Sequence, residues 1–355
     1  MSRPQQLRLD HLERLSGPEG VAEHAQGDEP IRDGGYCTDD AGRLLAVLAP
    51  HCADPTARRL CEGALAFLAE ASIGDRGFRL RRRGNGTWTD DAPSDDATGR
   101  ALEGLGVAAA RCPDRTLRER SLELFDATAN WRSRYRRSVS HTVLGAASVL
   151  DVDPGHRGSR EQLDHAAEVL SAGDPSATWP WPESKLTYSN ALIPEALLVL
   201  SRVDDDPAKL ARGLGALEWL VDIETLDDHF SFTPVAGRGP HGRTPAFDQQ
   251  PIEAWAMASA CARAFEITHD RRWADRVVRA AEWFDGRNDA GVPVGDPLTG
   301  AGYDGLHQSG VNVNQGAEST LAYLAATLLR DEITTALGSH DGAHFRSKVV
   351  VTATP

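Results

Sequence analysis

The sequence predicts an all-α protein, an (α/α)6 barrel formed by one domain over residues 1–337. Six segments share one plan, in which a few polar residues lead into a helix rich in Ala and Leu. These helices are apolar on most sides, as buried helices are. Between them lie amphipathic segments with one polar face. Buried helices that alternate with amphipathic ones indicate two concentric layers.

The six buried segments recur at intervals of roughly 45–65 residues, which indicates a repeat architecture. An outer helix returns the chain after each inner helix, so all inner N-termini meet at one end of the barrel. Free N–H groups and the helix dipole make this end attractive to anions and hydroxyl oxygens. The inner segments are Thr38–Leu48, Ser94–Leu105, Ser138–Leu150, Ser189–Leu200, Asp248–Ala260 and Asn314–Ala325.

Five outer helices are visible as amphipathic stripes, and the sixth has two candidates. It is formed either by Asp331–Leu337 or by the N-terminal stretch near Leu9–His24. The tail, residues 338–355, is polar and then β-prone, and the sequence assigns it no role. The five visible segments are Pro55–Ala71, Asp114–Trp131, Ser159–Ser171, Leu210–Val221 and Trp273–Phe284.

The charge balance narrows the class of ligand. Lys and Arg number 38 against 52 Asp and Glu, a net charge of -14. An acidic surface repels phosphate backbones and anionic lipids, so we expect neither nucleic acid nor membrane partners. No apolar run is long enough to span a membrane, and the chain starts without a signal-like segment.

Cysteine usage and the missing cofactor motifs fit a cytoplasmic protein. The five cysteines are odd in number and irregularly spaced, which predicts reduced thiols and no zinc site. The sequence contains no phosphate-binding P-loop, no dinucleotide fingerprint and no nucleophile elbow. We therefore expect no metal and no cofactor.

Two Asp doublets open the first two inner helices and are the first candidates for chemistry. Asp39 and Asp40 form the first doublet, and Asp95 and Asp96 form the second. An Arg follows each doublet, and in the second doublet it is Arg100. The ordinary interpretation is helix capping by the preceding Thr or Ser, with Asp favoured by the dipole. Capping alone does not require doubled Asp followed by Arg, twice.

The segment before the fourth inner helix is rich in aromatic residues. Trp179, Trp181 and Tyr188 surround Glu183, and Asn190 follows them. Aromatic faces stack on sugar rings, but the two indoles are equally well explained as core residues. A carboxylic acid among indoles has a raised pKa, which suits a general acid, while an Asp at a helix N-terminus is held ionised, which suits a general base.

Amides and carboxylates at the last two inner helices complete the predicted site. Asn and Gln offer both donors and acceptors, which match vicinal hydroxyls. Glu253 and Glu318 lie inside their helices, and each either caps its own helix or reaches the site. The remaining predicted ligand-binding residues are Tyr36, Asp248, Gln249, Gln250, Asp304, His307, Asn312, Asn314 and Gln315.

Several motifs resemble a bacterial family of six-hairpin domains. They are GYCTDDAGR, SDDATGRAL, WPESKLTYSNALIPEAL, FDQQPIEAWAMASAC, WFDGRND, YDGL and NVNQGAESTLAYL, spread between Leu9 and Leu329. Members are often described as glycosyltransferases. Some follow a nucleotide-sugar glycosyltransferase domain, and others stand alone near mannoside-phosphorylase genes. The resemblance implies carbohydrate metabolism, an (α/α)6 fold and a functional link to a glycosyltransferase or glycoside phosphorylase.

The resemblance does not imply a particular reaction, because the chain has no Rossmann-type βα units of its own. Its most visible departure from the family is Glu103, where an apolar or aromatic residue is expected. Since Glu103 lies past the start of its helix, we expect it outside the site.

Three functions compete at this point. The first is an inverting glycoside hydrolase acting on an oligosaccharide or glycoside, with Glu183 as acid, Asp40 or Asp95 as base and Asp248 as a further catalytic candidate. The second is a sugar epimerase or isomerase, which uses paired histidines. Only His141 and His307 are placed for that. The third is a non-catalytic saccharide-binding partner of a glycosyltransferase.

Overall fold

The computed structural model describes residues 7–173, 176, 178–242 and 244–338, and within these ranges twelve α-helices form two concentric rings. The tail that was predicted from residue 338 lies beyond them, apart from Gly338. The inner ring consists of α2 (Thr38–Leu48), α4 (Asp95–Arg111), α6 (Arg136–Val152), α8 (Leu192–Val203), α10 (Pro251–Thr268) and α12 (Ala317–Gly338). The outer ring consists of α1 (Asp10–Leu15), α3 (Pro55–Ala71), α5 (Arg115–Asp126), α7 (Arg157–Ser171), α9 (Pro207–Ile223) and α11 (Arg271–Glu282).

The inner ring is closed. Each inner helix packs against the next, and α12 packs against α2. Every outer helix packs on the inner helix that precedes it, and α1 completes the outer ring by packing on α12. Of the two candidates for the sixth outer helix, the N-terminal one is therefore confirmed, because Asp331–Leu337 simply continues α12.

The two ends of the barrel differ in the length of their connections. From an inner helix to its outer partner the chain needs only two to six residues. From an outer helix to the next inner helix it uses nine to 34 residues, and all the strands lie in these long connections. The strands form antiparallel pairs: β1 (Ser16–Gly17) with β2 (Gly20–Val21), β3 (Ala25–Gln26) with β4 (Glu29–Pro30), β5 (Tyr36–Cys37) with β6 (Arg81–Arg82), β7 (Thr225–Leu226) with β8 (His229–Phe230), β9 (Gly295–Asp296) with β10 (Ala301–Gly302), and β11 (Gly305–His307) with β12 (Gly310–Asn312).

Helix capping is concentrated at the end with short connections. Four outer helices, α3, α5, α9 and α11, begin at an Asp whose side chain accepts from their first N–H groups. Among the inner helices, Ser94 caps α4, whereas α2, α6, α8 and α10 have no side-chain cap. Thr38 instead donates its hydroxyl to the carbonyl of Arg79. The polar starts of most inner helices are thus free for another role.

The described helices include none that is both long and apolar enough to cross a membrane. All five cysteines are buried and carry free thiols.

Glycines bring neighbouring inner helices into backbone contact. A Cβ on Gly145 of α6 would lie 2.1 Å from the carbonyl oxygen of Leu102 in α4, and one on Gly106 would lie 2.3 Å from that of Gly145. Any side chain at these positions must push the two helices apart. The start of α4 and the start of α6 are therefore held in a fixed relation, which matters because both carry candidate site residues.

We predict that Gly145→Ala lowers the free energy of unfolding by about 1–3 kcal/mol, because the added methyl group overpacks the α4–α6 contact. The matched control is Gly63→Ala in α3, where nothing lies within 4 Å of the new Cβ. There the better helix propensity of Ala should raise stability by about 0.5–1 kcal/mol. Urea unfolding measures whether each substitution lowers or raises the free energy of unfolding. Equal effects would contradict the close packing.

Candidate functional site

A polar cavity of about 250 Å³ lies at the end of the barrel that has the long connections. It is framed by the first turns of α2 and α12 and by the segments that precede α10 and α12. The side chains lining it are mostly ionisable, with Gln250 and Ser319 as exceptions, and five of the residues expected from the sequence are among them. These are Asp39, Asp40, Gln250, Asp304 and Glu318.

Arg43 organises the carboxyl groups of this polar cavity. Its guanidinium donates one hydrogen bond of 2.7 Å to Asp40 and another to Glu318. Burial raises the pKa of Asp40 to about 7 although Arg43 opposes the shift. Burial also raises the pKa of Asp39 and of Asp304. At neutral pH the cavity therefore contains a carboxyl group, Asp40, that is present in both protonation states.

A smaller inner chamber, about 30 Å³ in volume, lies between α4, α6, α8 and α10. Nδ1 of His141 is 2.6 Å from a carboxyl oxygen of Glu103, and Arg100 and Glu195 also line the chamber. Burial and the nearby charge of Arg100 lower the pKa of His141 well below its usual value. Burial raises the pKa of Glu103 to about 7. His141 is therefore neutral at neutral pH.

Asp96, in contrast, is a carboxylate stabilised by hydrogen bonds. It accepts from Ser138 at 2.8 Å and from the hydroxyl of Tyr188. Burial raises the pKa of Asp96, but these two hydrogen bonds outweigh it and lower the pKa below its usual value. The end of the barrel thus holds both ionised carboxylates and carboxyl groups that are protonated near neutral pH.

Six buried polar atoms in the first two turns of α2, α4 and α6 lack a hydrogen-bond partner within the described part of the chain. Four of them belong to residues that line the polar cavity or the inner chamber: Oδ1 of Asp39, Nε of Arg43, Nη2 of Arg100 and Nε2 of His141. An unsatisfied buried polar group costs about 1–3 kcal/mol, so such groups at a cavity are typical of a site that binds a polar ligand.

The structure gives Glu183 a different environment from the one expected. The guanidinium of Arg137 lies 2.9 Å from both carboxyl oxygens of Glu183 and also binds the carbonyl of Tyr188 and the side chain of Asn190. An arginine bound in this way stabilises a carboxylate. The pairing makes Glu183 an anchor of its loop.

Trp181 is a core residue, and Trp179 is a partly buried residue packed against the core. Trp181 is 2% exposed and stacks on Trp219 of the outer helix α9, with 5.7 Å between ring centroids. Trp179 packs edge-on against the same Trp219, and its indole N–H donates to the carbonyl of Glu183. Of the two interpretations that the sequence left open, the structure supports core packing.

Four further polar residues are buried as structural elements. Glu253 neither caps its own helix nor faces a cavity, because it accepts from the N–H groups of Ser189 and Asn190 just before α8. Asn190 is fully buried between Glu253 and Arg137. Gln249 is fully buried among Phe232, Trp283 and Asp289, and Tyr36 is buried in β5. Asn190, Gln249 and Tyr36 are thus corrected from ligand contacts to scaffold residues.

The remaining expected residues do not line the polar cavity. Asp95 is half-buried at the start of α4 and lines neither the polar cavity nor the inner chamber. Asp248, with 52% of its side chain exposed, lies 2.5 Å from Nδ1 of His307. His307 is 40% exposed and does not line the inner chamber of His141. Asn312 accepts from the N–H of Asn314, Asn314 accepts from that of Gly27, and Gln315 lines a neighbouring cavity.

Sequence reasoning missed three residues at this end of the barrel. Glu103 was expected outside the site, but it lines the inner chamber, because one helical turn from Arg100 brings it to the same face of α4. Arg43 follows its Asp doublet in the same way on α2. Arg137 carries no signal of its own, since its partners, Glu183 and Asn190, are distant in sequence.

No protein-family model and no curated protein sequence matches this chain. Solved structures do resemble it. A cellobiose 2-epimerase from Bacillus thermoamylovorans aligns with a TM-score of 0.70 at 11% identity over 93% of this chain and 96% of its own. A D-mannose isomerase gives 0.63 at 12%, over 92% and 96%. A cellulase from C. cellulolyticum in complex with cellobiose gives 0.62 at 10%, over 89% and 88%. These similarities confirm the (α/α)6 fold.

We predict that Glu195→Gln changes the dependence of stability on pH. Burial raises the pKa of Glu195 from its ordinary 4.5 to about 7. The folded state therefore binds the proton more tightly, and the associated stability is present below pH 4.5 and is lost as pH rises through about 7. Glutamine has no such loss, so the variant should gain stability relative to the native protein between about pH 5.5 and 8.5.

The control for this measurement is Glu62→Gln on α3, an exposed residue paired with Arg58. Urea unfolding at the two pH values should show no comparable gain for it. A difference between Glu195→Gln and the native protein that is the same at both pH values would mean that Glu195 is not protonated on folding.

Proposed function

We propose that this chain is a carbohydrate-active enzyme that performs acid–base catalysis on a sugar bound in the polar cavity. The proposal is carried by unpartnered buried atoms at two cavities, on Asp39 and Arg43 at the polar cavity and on Arg100 and His141 at the inner chamber. Sugar hydroxyls both donate and accept, so a sugar in the polar cavity satisfies the carboxyl group of Asp39 and the guanidinium of Arg43 together. The fold shared with a cellobiose 2-epimerase, a mannose isomerase and a cellulase supports the same class of substrate.

The reaction we place first is hydrolysis of a glycosidic bond with inversion. Asp40 takes the role of general acid, because a carboxyl group whose pKa is about 7 keeps a proton near neutral pH. Glu318, with 34% of its side chain exposed, takes the role of base toward water. Arg43 binds both carboxyl groups and thereby fixes their relative position, and inversion requires them to lie roughly 6.5–9.5 Å apart. The sequence suggested Asp40 as a base and Glu183 as the acid. In this proposal Asp40 is the acid and takes the place of Glu183.

Epimerisation or isomerisation of a reducing sugar is the second candidate, and the Glu103–His141 pair favours it. If the proton of the imidazole lies on Nδ1, toward Glu103, then Nε2 carries a free lone pair that can remove a proton from carbon. Arg100 lies beside His141 and stabilises the negative charge that develops on the sugar oxygen. A second histidine at the pair is not available from His307, which binds Asp248.

One NMR experiment in heavy water separates these reactions. A panel of neutral disaccharides and reducing monosaccharides is incubated with the protein. Hydrolysis produces new anomeric signals without exchange at carbon, and inversion is identified from the first anomer formed. Epimerisation or isomerisation through proton transfer at carbon introduces deuterium next to the carbonyl carbon. Binding without any new signal would instead favour the saccharide-binding partner of a glycosyltransferase.

For hydrolysis, we predict that Asp40→Asn lowers kcat by about 10²–10⁴ while ligand binding is largely kept, because the amide has no proton to transfer. The rate of the native enzyme should fall as pH rises above about 7, where Asp40 loses its proton. Glu183→Gln serves as the comparison, since it weakens the Arg137 pairing without removing the acid. If Glu183→Gln abolishes turnover and Asp40→Asn retains it, the acid is Glu183.

A loss confined to His141→Gln or Glu103→Gln, together with deuterium incorporation, would transfer the assignment to epimerisation. Circular dichroism of each variant confirms that the helical fold is intact before rates are compared.

A further inference from the structure

A second cavity, about 340 Å³ in volume, lies behind one wall of the polar cavity and is called the outer cavity below. It is enclosed by α1, by the turn between β3 and β4, by the turn between β9 and β10, and by the segment just before α12. Its lining includes His11, Arg14, Tyr303 and Gln315. None of the roles proposed above uses this cavity.

The wall between the two cavities is made of residue pairs that face opposite sides. Tyr303 lines the outer cavity and Asp304 the polar cavity, and likewise Gln315 lines the outer cavity and Gly316 the polar one. Hydrogen bonds from the N–H of Asp304 to the carbonyl of Asn314, at 2.8 Å, and from the N–H of Gly316 to Asp304, at 2.7 Å, hold the wall together. The outer cavity is therefore built on the same rigid segment as the site.

Gln315 shows that the outer cavity is suited to a polar ligand. The residue is only 9% exposed, and its main-chain carbonyl accepts a hydrogen bond of 2.8 Å from His11. Its side-chain amide has no hydrogen-bond partner among the residues that the structure describes. An amide that faces a cavity offers both a donor and an acceptor, and a hydroxyl group matches both.

The rest of the lining defines the chemistry of the ligand. The half-buried ring of Tyr303 and the side chain of Val313, which is 62% exposed, form an apolar surface. Around it stand three carboxylates, Asp10, Asp28 and Asp296, against one arginine. Burial lowers the pKa of His11, so this imidazole adds no positive charge at neutral pH. An excess of negative charge disfavours anionic ligands.

We infer that the outer cavity is an accessory binding site for a neutral saccharide unit. The ring of Tyr303 stacks on the apolar face of the sugar, and the amide of Gln315 and the carboxylate of Asp10 bind its hydroxyl groups. Uronic acids and sugar phosphates are excluded by the charge. The inference rests on the proposed function only in the class of ligand, since the cavity is separate from Asp40 and Arg43.

The test measures binding by isothermal titration calorimetry and saturation-transfer NMR. The probes are cellotriose, mannotriose and maltotriose, with trigalacturonate as the anionic comparison. Tyr303→Ala should weaken binding of the neutral trisaccharide about threefold to tenfold through loss of the stacked ring. Gln315→Leu, which keeps the size of the side chain, should weaken it about fivefold. Tyr135→Ala is the control, because that tyrosine is exposed and lines neither cavity.

The inference is supported if both variants weaken binding and Tyr135→Ala does not. It is overturned if no neutral trisaccharide binds at millimolar concentration, if binding is unchanged in both variants, or if trigalacturonate binds as well as the neutral sugars. The proposed function fails separately. If a neutral trisaccharide binds in a way that depends on Tyr303 but is not turned over, the proposed enzymatic activity is contradicted and the accessory binding site is supported.

Discussion

Arg43 is the side chain on which the polar end of the barrel depends. It starts from the first inner helix and binds Asp40 of its own helix and Glu318 of the last one, so it joins the two helices that close the ring. A buried cation left with one partner is costly, typically by about 3–5 kcal/mol. The same pairings place both carboxyl groups at the cavity. Closure of the fold and assembly of the site are therefore achieved by one interaction.

The fold was predictable because it is encoded in periodic features. Burial on all sides of six helices, and on one side of those between them, leaves a pattern that no single residue determines. The sixth outer helix could not be decided in the same way, because α1 has only six residues. Its position follows from packing on α12, which is a contact distant in sequence.

The location of the site was predictable, but only some of the residues that form it were. The Asp doublet of α2 reaches the cavity, because its place in the first turn fixes its direction. Asn190 and Gln249 lie at the same end but point into the scaffold, where they replace hydrogen bonds that α8 and the neighbouring loops would otherwise lack. Position along a chain specifies the end of the barrel, whereas contacts between loops decide which side chains turn inward. Glu103 was missed for a different reason, since it lies one helical turn past Arg100 on the same face of α4.

The two candidate reactions make different demands on the same charges. Arg100 lines the inner chamber, and its charge lowers the pKa both of His141 and of Asp39. A sugar that accepts a hydrogen bond from Arg100 therefore alters both places at once.

Hydrolysis requires only the polar cavity. Epimerisation requires a sugar carbon to reach Nε2 of His141, and a chamber of about 30 Å³ has room for little more than one water molecule. That reaction therefore needs the helices around the chamber to move, and the glycine contacts between α4 and α6 oppose such movement. Rigid packing of the inner ring is thus the physical reason for placing hydrolysis first.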